Sequence, residues 1–480
     1  MVRFDNSFAR DLPGFYVPAP PDTPSSPRLL CWNVELAAEL GIDRSAHDDD
    51  AVAALLSGGV LPAGAEPIAQ AYAGHQFGTF NPQLGDGRAL LLGEHVGPDG
   101  HRHDIQLKGS GPTRFSRGGD GKAGLGPVLR EYLMAEAMHA LGIPTTRALA
   151  AVATGEKMLR DRPLPGAVLA RVAASHLRIG TIEYFAVHGG ANAVRQIADH
   201  AIARHCPEAA GSDNPYLALL DHVIGVQAEL VAQWMAVGFV HGVMNTDNMT
   251  LSGETIDYGP CAFLDAYSAG AVFSSIDRGG RYAFGNQPYI LHWNLARLAE
   301  ALLPAIADVR AEDQDAAVAL IAGVPDRYYP AMLARMRAKL GLLDDQAGDQ
   351  ALVEELFAAL EGQGADFTGF FTALTHEVEA GVPVPCSAAA LNTWLSRWRE
   401  RGKGDDAQRA ATMQWANPQV IPRNHLVEAA LADAVDRDDL AAFEALLAAV
   451  RDPYTPRAAD DPFVQPPPAD FGPQVTYCGT

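Results

Sequence analysis

The stretch His241-Gly242-Val243-Met244-Asn245-Thr246-Asp247-Asn248, with Asp257-Tyr258-Gly259 following, constrains this chain more than any other feature. A short apolar strand at Phe239–His241 leads into Asp247 and Asn248. Asp257 returns nine residues beyond Asn248, across an expected hairpin between Met249–Leu251 and Thr255–Asp257. An amide and a carboxylate presented from adjacent strand ends can share one hard cation through oxygen. A second carboxylate beside them can orient or deprotonate a hydroxyl. Asn and Asp also cap ordinary turns, so the choice between the two readings rests on what lies upstream.

Upstream, His103–Lys108 alternates. Ile105 and Leu107 point one way and Asp104, Gln106 and Lys108 the other, as in a half-buried strand. A glycine-dense loop follows from Gly109 to Gly126. Pro127 then opens a helix through Leu141 that Gly142 and Pro144 close, with Glu131 one turn inside it. A strand lysine held by a helix glutamate is how kinase folds aim an ammonium at nucleotide phosphates. Taken alone, the pair is equally a surface lysine and a glutamate favoured near a helix N-terminus. The glycines beside Lys108, which let backbone approach a ligand, and the order of the two clusters favour a site. In protein kinases the catalytic Asp and the metal-binding Asn stand five positions apart, whereas here Asp247 and Asn248 are adjacent. That spacing argues against an ordinary protein kinase.

A third, weaker set consists of glycines and arginines: Gly85, Gly87 and Arg88; Asp120 and Gly121 in the glycine-rich loop; and Arg171 and Arg178. Glycine turns expose N–H groups to anions, and guanidinium forks match phosphate oxygens. Each is also ordinary by itself, since an arginine on a helix is usually just solvated.

At 480 residues the chain exceeds the roughly 250–300 that one core sustains. A formal charge of −22 repels phosphate backbones and anionic membranes, so neither nucleic acid nor a membrane is an expected partner. No apolar run reaches the length of a membrane span, and the first 30 residues lack a signal-peptide core. Cys31, Cys206, Cys261, Cys386 and Cys478 form no CxxC pair, which argues against structural zinc and a disulfide framework and for a cytoplasmic location. The order of elements reads as α+β. Residues 1–65 form a proline-rich extension with a short helical stretch near Trp32–Leu40, and 66–165 are rich in strands. Residues 166–345 are mainly helical, including a long helix around Tyr216–Val237, and carry the Asp247–Asp257 cluster. Residues 346–480 are further helices and an extended tail.

Together these segments closely resemble the selenoprotein O family, also called the YdiU family. The matching words are Tyr72-Ala73-Gly74-His75-Gln76-Phe77-Gly78, Gln106-Leu107-Lys108-Gly109-Ser110-Gly111, Arg130-Glu131-Tyr132-Leu133, the His241–Asn248 stretch, Asp257-Tyr258-Gly259-Pro260, Asn286-Gln287-Pro288, Trp293-Asn294-Leu295, Asn417-Pro418, Arg423-Asn424-His425 and Cys478-Gly479-Thr480. The resemblance implies a kinase-like two-lobed fold, β-rich then helical, that binds ATP in a reversed orientation. It implies transfer of AMP to Ser, Thr or Tyr hydroxyls of target proteins with release of pyrophosphate, Mg²⁺ or Mn²⁺ as cofactor, and for some members transfer of UMP from UTP. Carried over by motif, nucleotide contacts fall on Gly85, Gly87, Arg88, Lys108, Asp120, Gly121, Arg171, Arg178 and Asp257. The proton acceptor falls on Asp247, metal ligands on Asn248 and Asp257, and the partner of Lys108 on Glu131. Two other readings of the same residues are a phosphotransferase using this cleft and a nucleotide-binding pseudokinase; the complete set of Lys108, Glu131, Asp247, Asn248 and Asp257 weighs against the latter. Many relatives pair a cysteine after the Asp-Tyr-Gly motif with the near-terminal one. Phe273 occupies that place here, which puts a redox switch on Cys478 in doubt.

Overall fold

The computed structural model describes residues 2–477, so Cys478 lies outside the described residues. The strand expected at His103–Lys108 runs Arg102–Lys108 near the middle of an eight-stranded sheet. From one edge the order is Tyr16–Pro18, Ile68–Gln70, Ala89–Val96, Arg102–Lys108, Pro163–Ala173, Arg147–Leu159 and Arg28–Trp32, with Ala123–Gly124 added beside Pro163–Ala173. Every pairing is antiparallel. Residues 1–65 thus supply both edge strands.

Two expectations are corrected here. The chain does not turn helical at about 165, because Pro163–Ala173 pairs with Arg147–Leu159 in a long hairpin. Both strands are alanine-rich, which reads as helix by propensity, yet Ala148, Ala150, Ala151, Ala167 and Ala170 are fully buried where the sheet is covered closely. Nor is Arg102–Lys108 half-buried. Asp104 and Gln106, on its polar face, are as sealed as Ile105 and Leu107, because they meet hydrogen-bonding partners there: His176 and Arg204 for Asp104, and Arg171 for Gln106.

The helix Leu125–Ala140 lies against the Arg147–Leu159 and Pro163–Ala173 strands. It ends as its sequence requires, with Gly142 in the left-handed region and N–H bonds from Gly142 and Ile143 back to His139 and Met138. It buries two carboxylates. Glu131 turns toward Lys108, while Glu136 holds Arg147 at 2.9 Å and Arg451 at 3.1 Å.

A helical layer follows: Ile179–His188, Gly190–His205, Pro215–Val237, Gln287–Val309, Asp313–Ala322 and Val324–Lys339. Pro215–Val237 starts on an Asn214 cap and stops at Gly238. Directly after it, Phe239–Val240 pairs with Ala262–Phe263, and the intervening loop carries Asp247, Asn248 and Asp257. The hairpin expected within that loop is not formed. Thr250 bridges to Arg178 and Thr255 to Thr145, so the two segments pair with the sheet side of the molecule rather than with each other.

Four more helices, Asp349–Leu360, Phe367–Ala380, Ala389–Arg401 and Asp406–Ala416, extend the helical layer. The last two, Asn424–Arg437 and Ala441–Val450, turn back onto Leu125–Ala140. One continuous apolar core runs through all of these elements. Among the described residues no helix is long and apolar enough to cross a membrane.

Candidate active site

The strand–loop–helix order that placed Lys108 before Glu131 brings them together: Lys108 Nζ lies 2.6 Å from Glu131 Oε2. The same ammonium is 2.6 Å from Asp257 Oδ1. Arg171 completes the unit from the neighbouring strand, where it stands opposite Gln106. Its Nη1 reaches Glu131 Oε1 at 2.8 Å and Asp257 Oδ1 at 2.7 Å, and its Nη2 donates to Gln106 at 2.5 Å. Arg171 is therefore a buried strand residue and not a solvated helical one. Arg178, just before the helix Ile179–His188, donates to the main-chain oxygen of Asp247 at 2.8 Å and to Asp257 Oδ2 at 3.3 Å. Its guanidinium lies 4.4 Å from the centre of the Tyr72 ring.

Three cations therefore converge on Asp257. Burial alone would raise its pKa, but Lys108, Arg171 and Arg178 hold it well below the usual carboxylate range. Burial also acts upward on Glu131, and Lys108 and Arg171 again outweigh it. The two carboxylates differ in access. Asp257 keeps 24% of its side-chain surface exposed and Glu131 7%, so Asp257 is the more open of the two to the cavity. Asp257 has φ +63°, a left-handed conformation that Asp tolerates better than most residues. It turns the carboxylate toward the cations while Tyr258 is buried with its hydroxyl on Thr145.

Asp247 is different. Burial pushes its pKa up to about 6 against the pull of Arg178. Its Oδ2 accepts from Gln76 at 3.3 Å, and its buried Oδ1 has no partner among the described residues. Asn248 donates through Nδ2 to Val243 O at 2.9 Å, which leaves its amide oxygen as an acceptor.

All twelve residues expected from the sequence line one cavity of about 600 Å³: Gly85, Gly87, Arg88, Lys108, Asp120, Gly121, Glu131, Arg171, Arg178, Asp247, Asn248 and Asp257. Their environments are not equivalent. Gly85 and Gly87 lie where the chain passes under Phe115. Gly121 is pressed onto the Gly111 carbonyl, where a Cβ would come within 2.1 Å. The Asp120 carboxylate is paired with Arg160 at 2.8 and 2.9 Å.

Several residues that shape the site have no role in the sequence reading. Asp86, its pKa raised to about 6 by burial, stands 4.0 Å from Arg178. Arg130 donates to the Gly259 and Cys261 carbonyls at 3.1 and 2.6 Å, so adjacent residues of one helix fix both Lys108 and the loop behind Asp257. Arg130, Tyr72 and Gln76 stand inside motif words already singled out, and that was the available signal. Asp86 stands between Gly85 and Gly87 of the glycine set, and Arg160 had no signal. Phe273 is half-buried against the core, and its carbonyl accepts from Thr476 N at 2.8 Å. Cys261 is fully buried and its thiol is pushed up to about 11.

Among known proteins, the family model for the protein adenylyltransferase SelO matches residues 1–451. A protein nucleotidyltransferase YdiU of Sphingopyxis alaskensis is 56% identical over 487 residues, covering 99% of both chains. One of Cereibacter sphaeroides is 56% identical over 483 residues, covering 100% of this chain and 99% of its own. One of a Bradyrhizobium species is 52% identical over 485 residues, with 99% of each covered. Matches of this extent, on a chain whose motif residues converge on one cavity, mean that it belongs to the SelO family of protein adenylyltransferases.

Proposed function

We propose that this chain transfers AMP from ATP to hydroxyl side chains of other proteins, within a kinase-like two-lobed arrangement of sheet and helices. One observation carries the reading. The cations that would hold a polyphosphate (Lys108, Arg171 and Arg178) and a buried carboxylate with one oxygen unpartnered among the described residues (Asp247) adjoin in the same cavity, joined through the bond from Arg178 to the Asp247 carbonyl.

In this reading Lys108, Arg171 and Arg178 bind the phosphates, with the Asp120–Gly121 loop, Gly85, Gly87 and Arg88 completing the walls. Asn248 and Asp257 are the cation ligands. Both residues line the one cavity, and the Asn248 amide oxygen is left as an acceptor. An amide oxygen with a carboxylate fits a Mg²⁺- or Mn²⁺-type ion, which takes one or two protein oxygens and the rest from phosphate and water. When bound, such an ion neutralises phosphate charge. Asp247 takes the proton of the acceptor hydroxyl as its oxygen attacks the α-phosphorus; the bond to the bridging oxygen of the β-phosphate breaks, and pyrophosphate leaves. Fixed positive charge beside that leaving group stabilises the charge that develops there. UTP would serve in the same cavity as a donor of UMP. The scattered cysteines, of which Cys31, Cys206, Cys261 and Cys386 are unpaired among the described residues, support a cytoplasmic reaction.

The test compares ATP labelled at the α-phosphate with ATP labelled at the γ-phosphate. Label from the α position should appear on protein with release of pyrophosphate, and label from the γ position should not. Transfer of the γ-label would replace this reading with a phosphotransferase.

A further inference from the structure

The word Tyr72–Gly78 has so far supplied only Tyr72 and Gln76, as neighbours of Arg178 and Asp247. The structure makes it a hairpin, Gly74–Gln76 paired with Thr79–Asn81. Phe77 and Gly78 form its turn, both at positive φ as a two-residue type I′ turn requires. The hairpin lies directly over Asp247. A Cβ at Gly74 would come within 2.3 Å of Asp247 Oδ1, so the strand approaches that oxygen as only glycine allows. Two residues on, Gln76 donates to the other carboxylate oxygen.

Behind this contact the hairpin is fastened to the loop that carries Asp247. The His75 main-chain N–H donates to Thr246 Oγ1 at 2.7 Å, and Thr246 donates to Glu183 Oε2 at 2.5 Å. Glu183 Oε1 lies 2.5 Å from His75 Nδ1. The His75 ring is held between Phe80 and Trp293, at centroid distances of 4.8 and 5.2 Å. At the tip, Phe77 N–H donates to Asn245 Oδ1 and to the Tyr282 hydroxyl. Gln76, Phe77 and Asn245 line the same cavity as Lys108 and Arg171, yet the bonds of this network run to Asp247 and to the loop that carries it.

We propose that Gln76, with the His75–Glu183 pair behind it, positions Asp247 for the acceptor hydroxyl: Gln76 engages Oδ2 while Gly74 closes against the buried Oδ1, so the carboxylate is fixed in one orientation. The assignment rests on Asp247 being the proton acceptor. Gln76 orients the carboxylate by a neutral hydrogen bond, and Glu183 fixes the loop through Thr246. These are positioning residues for the transfer step and not contacts to the nucleotide.

The experiment uses the full chain, α-phosphate-labelled ATP and an acceptor protein that the unsubstituted enzyme labels. Gln76→Ala should lower kcat by about tenfold or more, as misplacement of a reacting group does, with the KM for ATP within about twofold. Gln76→Glu, which sets a carboxylate against Asp247, should lose at least as much and serves if the alanine variant does not fold. Glu183→Gln, which keeps an acceptor for the Thr246 hydroxyl, should recover most of what Glu183→Ala loses. In an Asp247→Asn background, Gln76→Ala should cost nothing further. An unchanged kcat in both Gln76 variants, or a rise in the KM for ATP that accounts for the whole loss, would overturn the positioning role. Full transfer by Asp247→Asn would instead remove the reading of Asp247 itself, whatever the Gln76 variants do.

Discussion

Arg178 donates to the main-chain oxygen of Asp247 at 2.8 Å while the same nitrogen stands 3.3 Å from the Asp257 carboxylate. One guanidinium therefore spans the acceptor side and the phosphate side of the cavity. A lysine could keep the charge, but it could not keep both bonds and the stacking on Tyr72. Arg178→Lys should slow transfer of the α-label by about 10²-fold or more, the scale of losing one preorganised donor. Its affinity for Mg²⁺-ATP by calorimetry should change by less than about tenfold. An equal loss in both quantities would make Arg178 a plain binding residue.

Lys108 and Arg171 share Glu131, one on each carboxylate oxygen, so the effects of substitution should not multiply. Lys108→Ala and Glu131→Ala should each remove most transfer, by about 10²-fold. The double variant should lie within a few-fold of the worse single one. A loss equal to the product of the two would show that the residues act independently.

Asp257 is the anion among three cations, and its replacement has two opposite effects. Asp257→Asn keeps the size of the side chain and tolerates the left-handed backbone. It should lose transfer by about 10²-fold or more, because a hard charged ligand is gone. It should also bind metal-free ATP more tightly than the unsubstituted chain, since the cations lose the carboxylate that competes with phosphate. Calorimetry with and without a chelator reads both effects, and weaker binding of metal-free ATP would contradict the second.

Glu183 gives a stability test with a definite sign. Burial raises its pKa from 4.5 to about 7, partly offset by Thr246 and Arg297 and reinforced by Glu300, and His75 faces it at 2.5 Å. The folded state then holds the Glu183 proton more tightly than the unfolded state. That contribution is fully present below about pH 4.5 and is lost as pH rises through about 7, amounting to at most about 3 kcal/mol. Denaturant unfolding should show wild type losing stability relative to Glu183→Gln across that window. His75 is common to both proteins, and its own depressed pKa works in the opposite direction. A difference that stays flat with pH would mean that Glu183 is not strained by ionisation.

The parts of the site that could be read in the sequence are those built locally. Lys108, its glycine loop and Glu131 lie within one strand–loop–helix unit, where periodicity and caps are reliable signals. The long helix ending at Gly238 was legible for the same reason. Pro163–Ala173 was not, because alanine favours helix by propensity and only the covering layers make it a strand. The expected Met249–Leu251 and Thr255–Asp257 hairpin failed in a related way. Thr250 and Thr255 find partners at Arg178 and Thr145, distant positions that no local pattern records. Arg160 acts through Asp120, and Asp86 through Arg178 and the Gln70 N–H, partners that the fold brings near.

The bond between Glu136 and Arg451 joins residues 315 positions apart, on the same helix that carries Glu131. Synthesis at about 5–20 residues per second separates their emergence by on the order of tens of seconds. During that interval a buried carboxylate lacks one of its partners, and the face covered later by Asn424–Arg437 and Ala441–Val450 stays open. A buried carboxylate on the lysine-holding helix therefore gains its second arginine only once Arg451 has been made, long after the cavity-lining residues Tyr72 to Ile276.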